Sequence, residues 1–174
     1  MKPRIHIIGA PGSGKSFVAA ALSGRLGVPA YELDGLFWDN AGPGRGVRAE
    51  PAVRDRRLAD IVAQDGWILE GVYYGWLAPS FDAADVVVLL APSVWRRQWR
   101  IVRRFALCKL GLIPSRRETM RDLWRLLVWS QRYDRRHLGE ALDAISARGR
   151  QVVKCRSLRD VLARTSGLPA GVHS

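Results

Sequence analysis

An α/β domain, with a mainly parallel sheet covered by helices on both faces, is the fold class that this 174-residue sequence predicts. Three observations carry it. The run Val86-Val87-Val88-Leu89-Leu90 lacks the alternation of a half-exposed strand and reads as a parallel strand covered on both sides. Stretches with apolar residues at helical spacing separate the strand-like runs. The first run, Ile5-His6-Ile7-Ile8, leads straight into the turn Gly9-Ala10-Pro11-Gly12-Ser13-Gly14-Lys15-Ser16 at the mouth of a helix.

Taken in order, a strand over residues 4–8 is followed by a helix over 15–26, which Gly27 stops with Pro29 just beyond. A short strand, Ala30 to Leu33, ends at Asp34. The stretch Gly42-Pro43-Gly44-Arg45-Gly46 is too rich in glycine for regular structure and reads as loop. Residues 51–63 read as a helix, with Val53, Leu58, Ile61 and Val62 inside and Arg54, Arg56 and Arg57 outside. Trp67-Ile68-Leu69-Glu70 is a third strand closed by Gly71, and Val86 to Leu90 a fourth. Gln151 to Cys155 is the last strand, Leu158 to Ala163 the last helix, and the tail from Thr165 reads as loose.

Between the fourth and fifth strands lie two long helices. In one, Trp95, Trp99, Val102 and Ala106 share a face beside Arg96, Arg100, Arg103 and Arg104, so the tryptophans read as packing residues. In the other, Leu123, Leu126, Leu127, Ser130 and Tyr133 share a face opposite Arg121, Arg125, Arg132 and Arg136. The connecting stretch, about 105–121, holds Gly111, Pro114, Arg116 and Arg117, and reads as a lid-like excursion from a single domain spanning 1–174.

Residues 9–16 fit the pattern G-x-x-x-x-G-K-[ST], in the strand–loop–helix context that pattern requires. Gly9, Gly12 and Gly14 free the backbone to turn N–H groups toward an anion, and Ala10, Pro11 and Ser13 complete the loop. Lys15 reaches the β and γ phosphates of a nucleoside triphosphate, Ser16 supplies a hydroxyl to Mg²⁺, and the helix adds its positive end. ATP and Mg²⁺ are therefore the expected ligands. Asp34 and Glu70 end the second and third strands, where ligands of open α/β sheets gather. Asp34 suits an acceptor hydroxyl or a metal-bound water, or simply caps the turn before Gly35; Glu70 suits Mg²⁺ or a structural arginine.

The formal charge is +12, with an isoelectric point near 10.9. Between Trp95 and Arg136 stand thirteen cations and three acids, a net +10, so this segment must face something anionic. Phosphates of a small ligand, a nucleic acid and an acidic partner all fit. No apolar run approaches the roughly 18 residues of a membrane span, so no membrane partner is expected. Cys108 and Cys155 lack metal spacing, His6, His137 and His173 are scattered, and the chain opens directly into its first strand. A cytoplasmic location follows as the expectation.

No guanine-reading N-K-x-D motif is present, and the proline within the glycine-rich loop resembles that of nucleoside monophosphate kinases. From about Ile5 to Leu162 the order of segments is similar to that of adenylate-kinase-related bacterial proteins, the "topology modulation protein" group related to a flagellin regulator. The residues that carry the likeness are Tyr31-Glu32-Leu33-Asp34-Gly35-Leu36-Phe37-Trp38, Trp67-Ile68-Leu69-Glu70-Gly71-Val72-Tyr73, and Ala84 to Pro92 followed by an arginine-rich helix. The resemblance implies a P-loop NTPase of nucleoside-kinase-like fold, five parallel strands ordered 2-3-1-4-5, and a lid. It implies that Asp34 is a site carboxylate and that Arg100 and Arg104, with Arg103 beside them, reach the transferring phosphoryl group. Arg116, Arg117 and Arg132 would join on closure, and Arg156 would lie near the nucleotide base.

The chain departs from that pattern at three points. No arginine lies between Arg57 and Arg96 to hold an acceptor phosphate, Val72 stands where Asn is common, and Glu70 where Asp is usual. The expected activity is transfer of the ATP γ-phosphoryl to a polar acceptor, whether nucleotide, nucleoside or other metabolite. A nucleic-acid-binding P-loop ATPase, or a nucleotide-binding protein without transfer, are the alternatives.

Overall fold

The computed structural model describes residues 2–39, 47–113 and 119–165. The expected loop 42–46, Arg116 and Arg117, the side chain of Arg136 and the tail beyond Thr165 lie outside the described residues.

Strand β1 (Arg4–Ile8) and helix α1 (Lys15–Leu26) flank the glycine-rich turn. Gly27 ends α1 in the left-handed conformation that its missing Cβ permits. β2 (Ala30–Glu32) is shorter than its apolar run suggests, because Leu33 and Asp34 open a five-residue helix, α2 (Leu33–Phe37). Leu33 is buried there against Gly71, whose added Cβ would sit 2.8 Å from the Leu33 Cβ. Two antiparallel strands of two residues each, β3 (Trp38–Asp39) and β4 (Val47–Arg48), lead into α3 (Pro51–Val62). Within α3, Leu58 and Ile61 are buried, whereas Val53, expected inside, is 39 % exposed.

β5 (Trp67–Gly71) is followed by α4 (Ala78–Ala83), a six-residue helix that the sequence reading missed, since Pro79 and its length hide any periodicity. β6 (Val86–Leu90) precedes the long helices α5 (Val94–Lys109) and α6 (Met120–Ser146), and β7 (Val152–Cys155) precedes α7 (Leu158–Thr165). Thr165, expected in a loose tail, is buried at the end of α7 and donates its hydroxyl to the Val161 carbonyl at 2.9 Å. The expected excursion begins inside α5: Phe105 is buried and Lys109 is still helical.

The five long strands form one parallel sheet in the spatial order β2-β5-β1-β6-β7. Side-chain alternation along each strand divides the core in two. Ile5, Ile7, Ile68, Val88 and Leu90 meet Val18 and Leu22 of α1 and Val161 of α7. Ile8, Leu69, Val87 and Leu89 face the other way, toward Leu58 of α3, Phe81 of α4 and Ile145 of α6.

Helix α5 reverses the expected facing. Trp95 is 81 % and Trp99 67 % exposed, while Arg97, Ile101 and Phe105 are buried. The reason is a specific partner on α6. The Arg97 guanidinium donates to both carboxylate oxygens of Asp134, at 2.7 and 2.6 Å, and to the Ser130 carbonyl at 3.3 Å. A forked, paired guanidinium tolerates burial that a lone cation would not. On α6 the expected face holds, with Ser130 and Tyr133 buried and Leu123, Leu126 and Leu127 partly so.

Two stability predictions follow from these contacts. Asp134→Ala strands a buried guanidinium and lowers the unfolding free energy by about 3 kcal/mol, whereas Asp55→Ala, which removes an exposed carboxylate from Arg54, changes it by less than about 1 kcal/mol; denaturant melts check both. His6 is fully buried on β1, 3.1 Å from the Ser80 hydroxyl, and burial lowers its pKa from 6.5 to about 3. The neutral ring therefore contributes stability that is present above pH 6.5 and lost as pH falls from there toward 3. Wild-type stability should drop by about 1.4 kcal/mol more per pH unit than that of His6→Asn across this range, read from melts at stepped pH.

Candidate active site at the carboxyl edge of the sheet

Parallel strands all deliver their carboxyl ends to one edge, and there the structure opens a cavity of about 480 Å³. Its wall includes Pro11, Gly12, Gly14, Lys15 and Ser16 from the turn after β1. Asp34 joins from α2, Glu70 from the end of β5, and Arg100 and Arg104 from α5. The structure thus gathers these sequence-singled residues around one space. Gly9, Ala10 and Ser13 lie buried behind the turn rather than on the wall.

The turn is shaped by two glycines with positive φ, Gly12 at +77° and Gly14 at +94°. Gly12 is also held by proximity: a Cβ there would stand 2.6 Å from the Arg97 carbonyl oxygen and 2.9 Å from Ile101. Ser130 of α6 donates its hydroxyl to the Pro11 carbonyl at 3.0 Å, and Arg100 donates to the Ser13 carbonyl at 2.5 Å. Gly14 caps α1 without a side-chain hydrogen bond, so the first turn of that 12-residue helix turns its N–H groups toward the cavity mouth uncapped.

Lys15 is 9 % exposed, with Nζ 3.4 Å from the Ala10 carbonyl oxygen. Burial holds its pKa below the usual lysine value, against the opposing pull of Glu70, Asp34 and Glu32. Glu70, 4 % exposed, is pushed above the usual carboxylate range by burial, against Lys15 and the hydrogen bond from Ser16. That bond, from Ser16 Oγ to Glu70 Oε1, is 2.6 Å long. Asp34 is half-buried, and its Oδ1 accepts from the Tyr73 hydroxyl at 2.7 Å. Tyr73 is itself stacked on Phe37 at 4.6 Å between centroids. Burial, followed by the bond to Asp34, raises the Tyr73 pKa and keeps the phenol a donor.

Ser16 and Glu70 are hard oxygen donors in contact, which suits Mg²⁺. Among the described residues no group of three or more His, Cys, Asp or Glu is placed to hold a metal alone. Phosphate oxygens and water would have to complete the shell, as is usual for Mg²⁺.

Arg156 is not brought to this cavity. It lies exposed past β7, in a separate cleft with Lys154, Asp160 and Arg164. The cavity wall also holds Glu32, Phe17, Asp122, Leu126 and Trp129, none of which sequence reasoning singled out for the site. Glu32 stands at a strand end two residues before Asp34, a signal that was legible. The α6 residues reach the wall only through the packing of α5 on α6.

No protein-family model matches the chain. In sequence it is 36 % identical over 90 residues to "Uncharacterized protein YqaC" of Bacillus subtilis (strain 168), a match covering 52 % of this chain. The chain spans about half the length of that relative, 49 %. In structure it is similar to a gluconokinase from Sinorhizobium meliloti 1021, with a TM-score of 0.53 at 18 % identity over 96 % of this chain and 93 % of that one. It is also similar to an uncharacterized protein from Eubacterium ventriosum ATCC 27560, with a TM-score of 0.58 at 12 % identity, covering 95 % and 97 %. The chain has a kinase-like P-loop fold. The likeness extends over nearly the whole of both partners, so it concerns the sheet and its helices together and not the glycine-rich turn alone. No described helix is long and apolar enough to cross a membrane.

The close approach at Gly12 yields a paired prediction. Gly12→Ala combines a strained φ with a methyl group against α5 and lowers the unfolding free energy by about 2 kcal/mol. Gly24→Ala, in open space on α1, raises it by about 0.5 kcal/mol. Thermal melts of the two variants should move in opposite directions.

Proposed function

We propose that this chain is an ATP-dependent kinase that transfers the γ-phosphoryl group to a hydroxyl of a small polar acceptor. One observation carries the reading: Lys15, Ser16, Asp34, Glu70, Arg100 and Arg104 border a single cavity at the carboxyl edge of the sheet. The resemblance to the nucleoside-kinase-like "topology modulation" group and the fold likeness to a gluconokinase support it. A cytoplasmic enzyme with a lid-like segment over about 105–121 belongs to the same reading.

In this mechanism the turn from Gly9 to Ser16 cradles the phosphates with backbone N–H groups, and Lys15 sits on the β and γ phosphates. Ser16 and Glu70 would hold Mg²⁺, which would neutralise phosphate charge. Arg100 and Arg104 stabilise the equatorial oxygens of the transferring group, which requires Arg100 to exchange the Ser13 carbonyl for phosphate. Asp34 accepts the acceptor's proton through Oδ2, because Tyr73 occupies Oδ1. The acceptor oxygen bonds to the γ-phosphorus as the bond to the β–γ bridging oxygen breaks, and ADP leaves.

Purified protein with Mg-ATP and a panel of sugars, sugar acids including gluconate, nucleosides, nucleoside monophosphates and shikimate-like acids should release ADP with one acceptor class. Phosphorylated product should form in equal amount. Lys15→Ala should reduce turnover at least about a hundredfold. Asp34→Asn should reduce it by about 10² to 10⁴ while ATP still binds. Full turnover in Lys15→Ala would refute the assignment, and ATP binding with no response across the panel would leave a nucleotide-binding protein without transfer.

A further inference from the structure

Eleven large hydrophobic side chains are exposed among the described residues, and eight of them lie between Trp95 and Trp129, within the segment of net charge +10. The coincidence of greasy and basic surface is the feature that the cavity chemistry leaves unused. Trp129 belongs to the cavity wall, but the rest of the group does not.

Helix α5 has three distinct sides. Arg97, Ile101 and Phe105 are buried, and Arg100 and Arg104 border the cavity. Away from both, Trp95 (81 % exposed), Trp99 (67 %) and Val102 (39 %) recur at helical spacing, with Leu110 (71 %) just past the helix end. Arg96 and Arg103, also exposed, run along the edge of that stripe. From Val94 to Lys109 the helix contains six cations and no acid, so the stripe meets no negative charge on its own element. At the start of α6, Met120 and Trp124 are exposed as well, 67 % and 69 %.

Isolated exposed apolar residues need no explanation, but a clustered set does. Three occupants would cover it, and the residue types separate them. A second copy of the chain would set one +10 segment against another, and like charges brought together by a two-fold contact oppose association. A nucleic acid would use the arginines and stack bases on the tryptophans, yet it offers nothing to Val102, Leu110 and Met120. An anionic bilayer uses every residue present. Aliphatic side chains enter the acyl boundary, indole rings settle at the headgroup level, and arginines remain at the phosphates.

We propose that the outer stripe of α5, centred on Trp95, Trp99, Val102 and Leu110 and edged by Arg96 and Arg103, docks the protein on the surface of an anionic lipid bilayer. The contact is interfacial and involves no membrane-crossing helix. It stands independently of the kinase reading, because none of these residues borders the cavity.

Full-length protein should co-sediment with vesicles of phosphatidylcholine containing one-third phosphatidylglycerol at low salt, and not with phosphatidylcholine alone. Binding should shift tryptophan emission to the blue and weaken at 0.5 M salt. Trp95→Ala/Trp99→Ala should weaken binding at least about tenfold, with an unchanged far-ultraviolet dichroism spectrum because both side chains point to solvent. Arg96→Gln/Arg103→Gln should weaken it roughly tenfold or more and flatten the salt dependence. Absence of binding to the anionic vesicles at low salt would overturn the proposal, as would binding indifferent to both double substitutions. Binding of a single-stranded oligonucleotide that needs Trp95 and Trp99, without vesicle binding, would assign the surface to nucleic acid instead. A sedimenting dimer that buries the two tryptophans would assign it to self-association.

Discussion

The geometry of the site rests on one buried guanidinium. Arg97 is 1 % exposed, and its fork on Asp134 and the Ser130 carbonyl fixes α5 against α6. With α5 fixed, the Arg97 carbonyl presses on Gly12 and Arg100 falls on the Ser13 carbonyl. With α6 fixed, Ser130 reaches the Pro11 carbonyl. The glycine-rich turn is thus held from outside by two helices more than eighty residues away in the chain, in addition to its own backbone preferences. Burying a cation is costly unless its charge is paired, and here both terminal nitrogens of Arg97 are bonded while Nε is not. The bidentate carboxylate and the carbonyl offset that cost, and the result is a single register between the helices.

The parallel sheet supplies the second constraint. Because β1, β2 and β5 point the same way, each ends at the same edge and hands its last or next residues to one cavity, and helix α5, which follows β6, adds Arg100 and Arg104. Three strand ends distant in sequence become neighbours without any loop having to travel. Charge then arranges itself around Lys15. Removal from water disfavours both the ammonium and the Glu70 carboxylate, and each is partly restored by the other. A buried ammonium with acids around it, beside an uncapped helix start, is poised to exchange those carboxylates for a more highly charged anion.

Beside the cavity the aromatic cluster gives Asp34 a defined orientation. Phe37 stacks on Tyr73, Tyr73 holds one carboxylate oxygen, and Arg48 lies over the Phe37 ring at 5.4 Å. Such a shell keeps a half-exposed carboxylate from rotating freely, as the base role proposed for it would require.

By itself, the sequence determined the elements whose signals are local. The motif from Gly9 to Ser16, the covered strand Val86–Leu90, and the place of Glu70 near the end of its strand needed only short-range pattern and backbone preference, whereas Asp34, read as a strand end, lies in α2. Short α2 and α4 escaped, since five or six residues do not establish a period. What only the tertiary structure decided was which side of α5 turns inward. Helical spacing groups Trp95 with Trp99, and Arg97 with Ile101 and Phe105, but it says nothing of which group is buried. Both faces offer large apolar side chains, and the packing of α5 on α6 turned Ile101 and Phe105 in, with Arg97 beside them. Asp134, thirty-seven residues away on another helix, makes that arginine's burial tolerable by pairing its charge in a fixed fork.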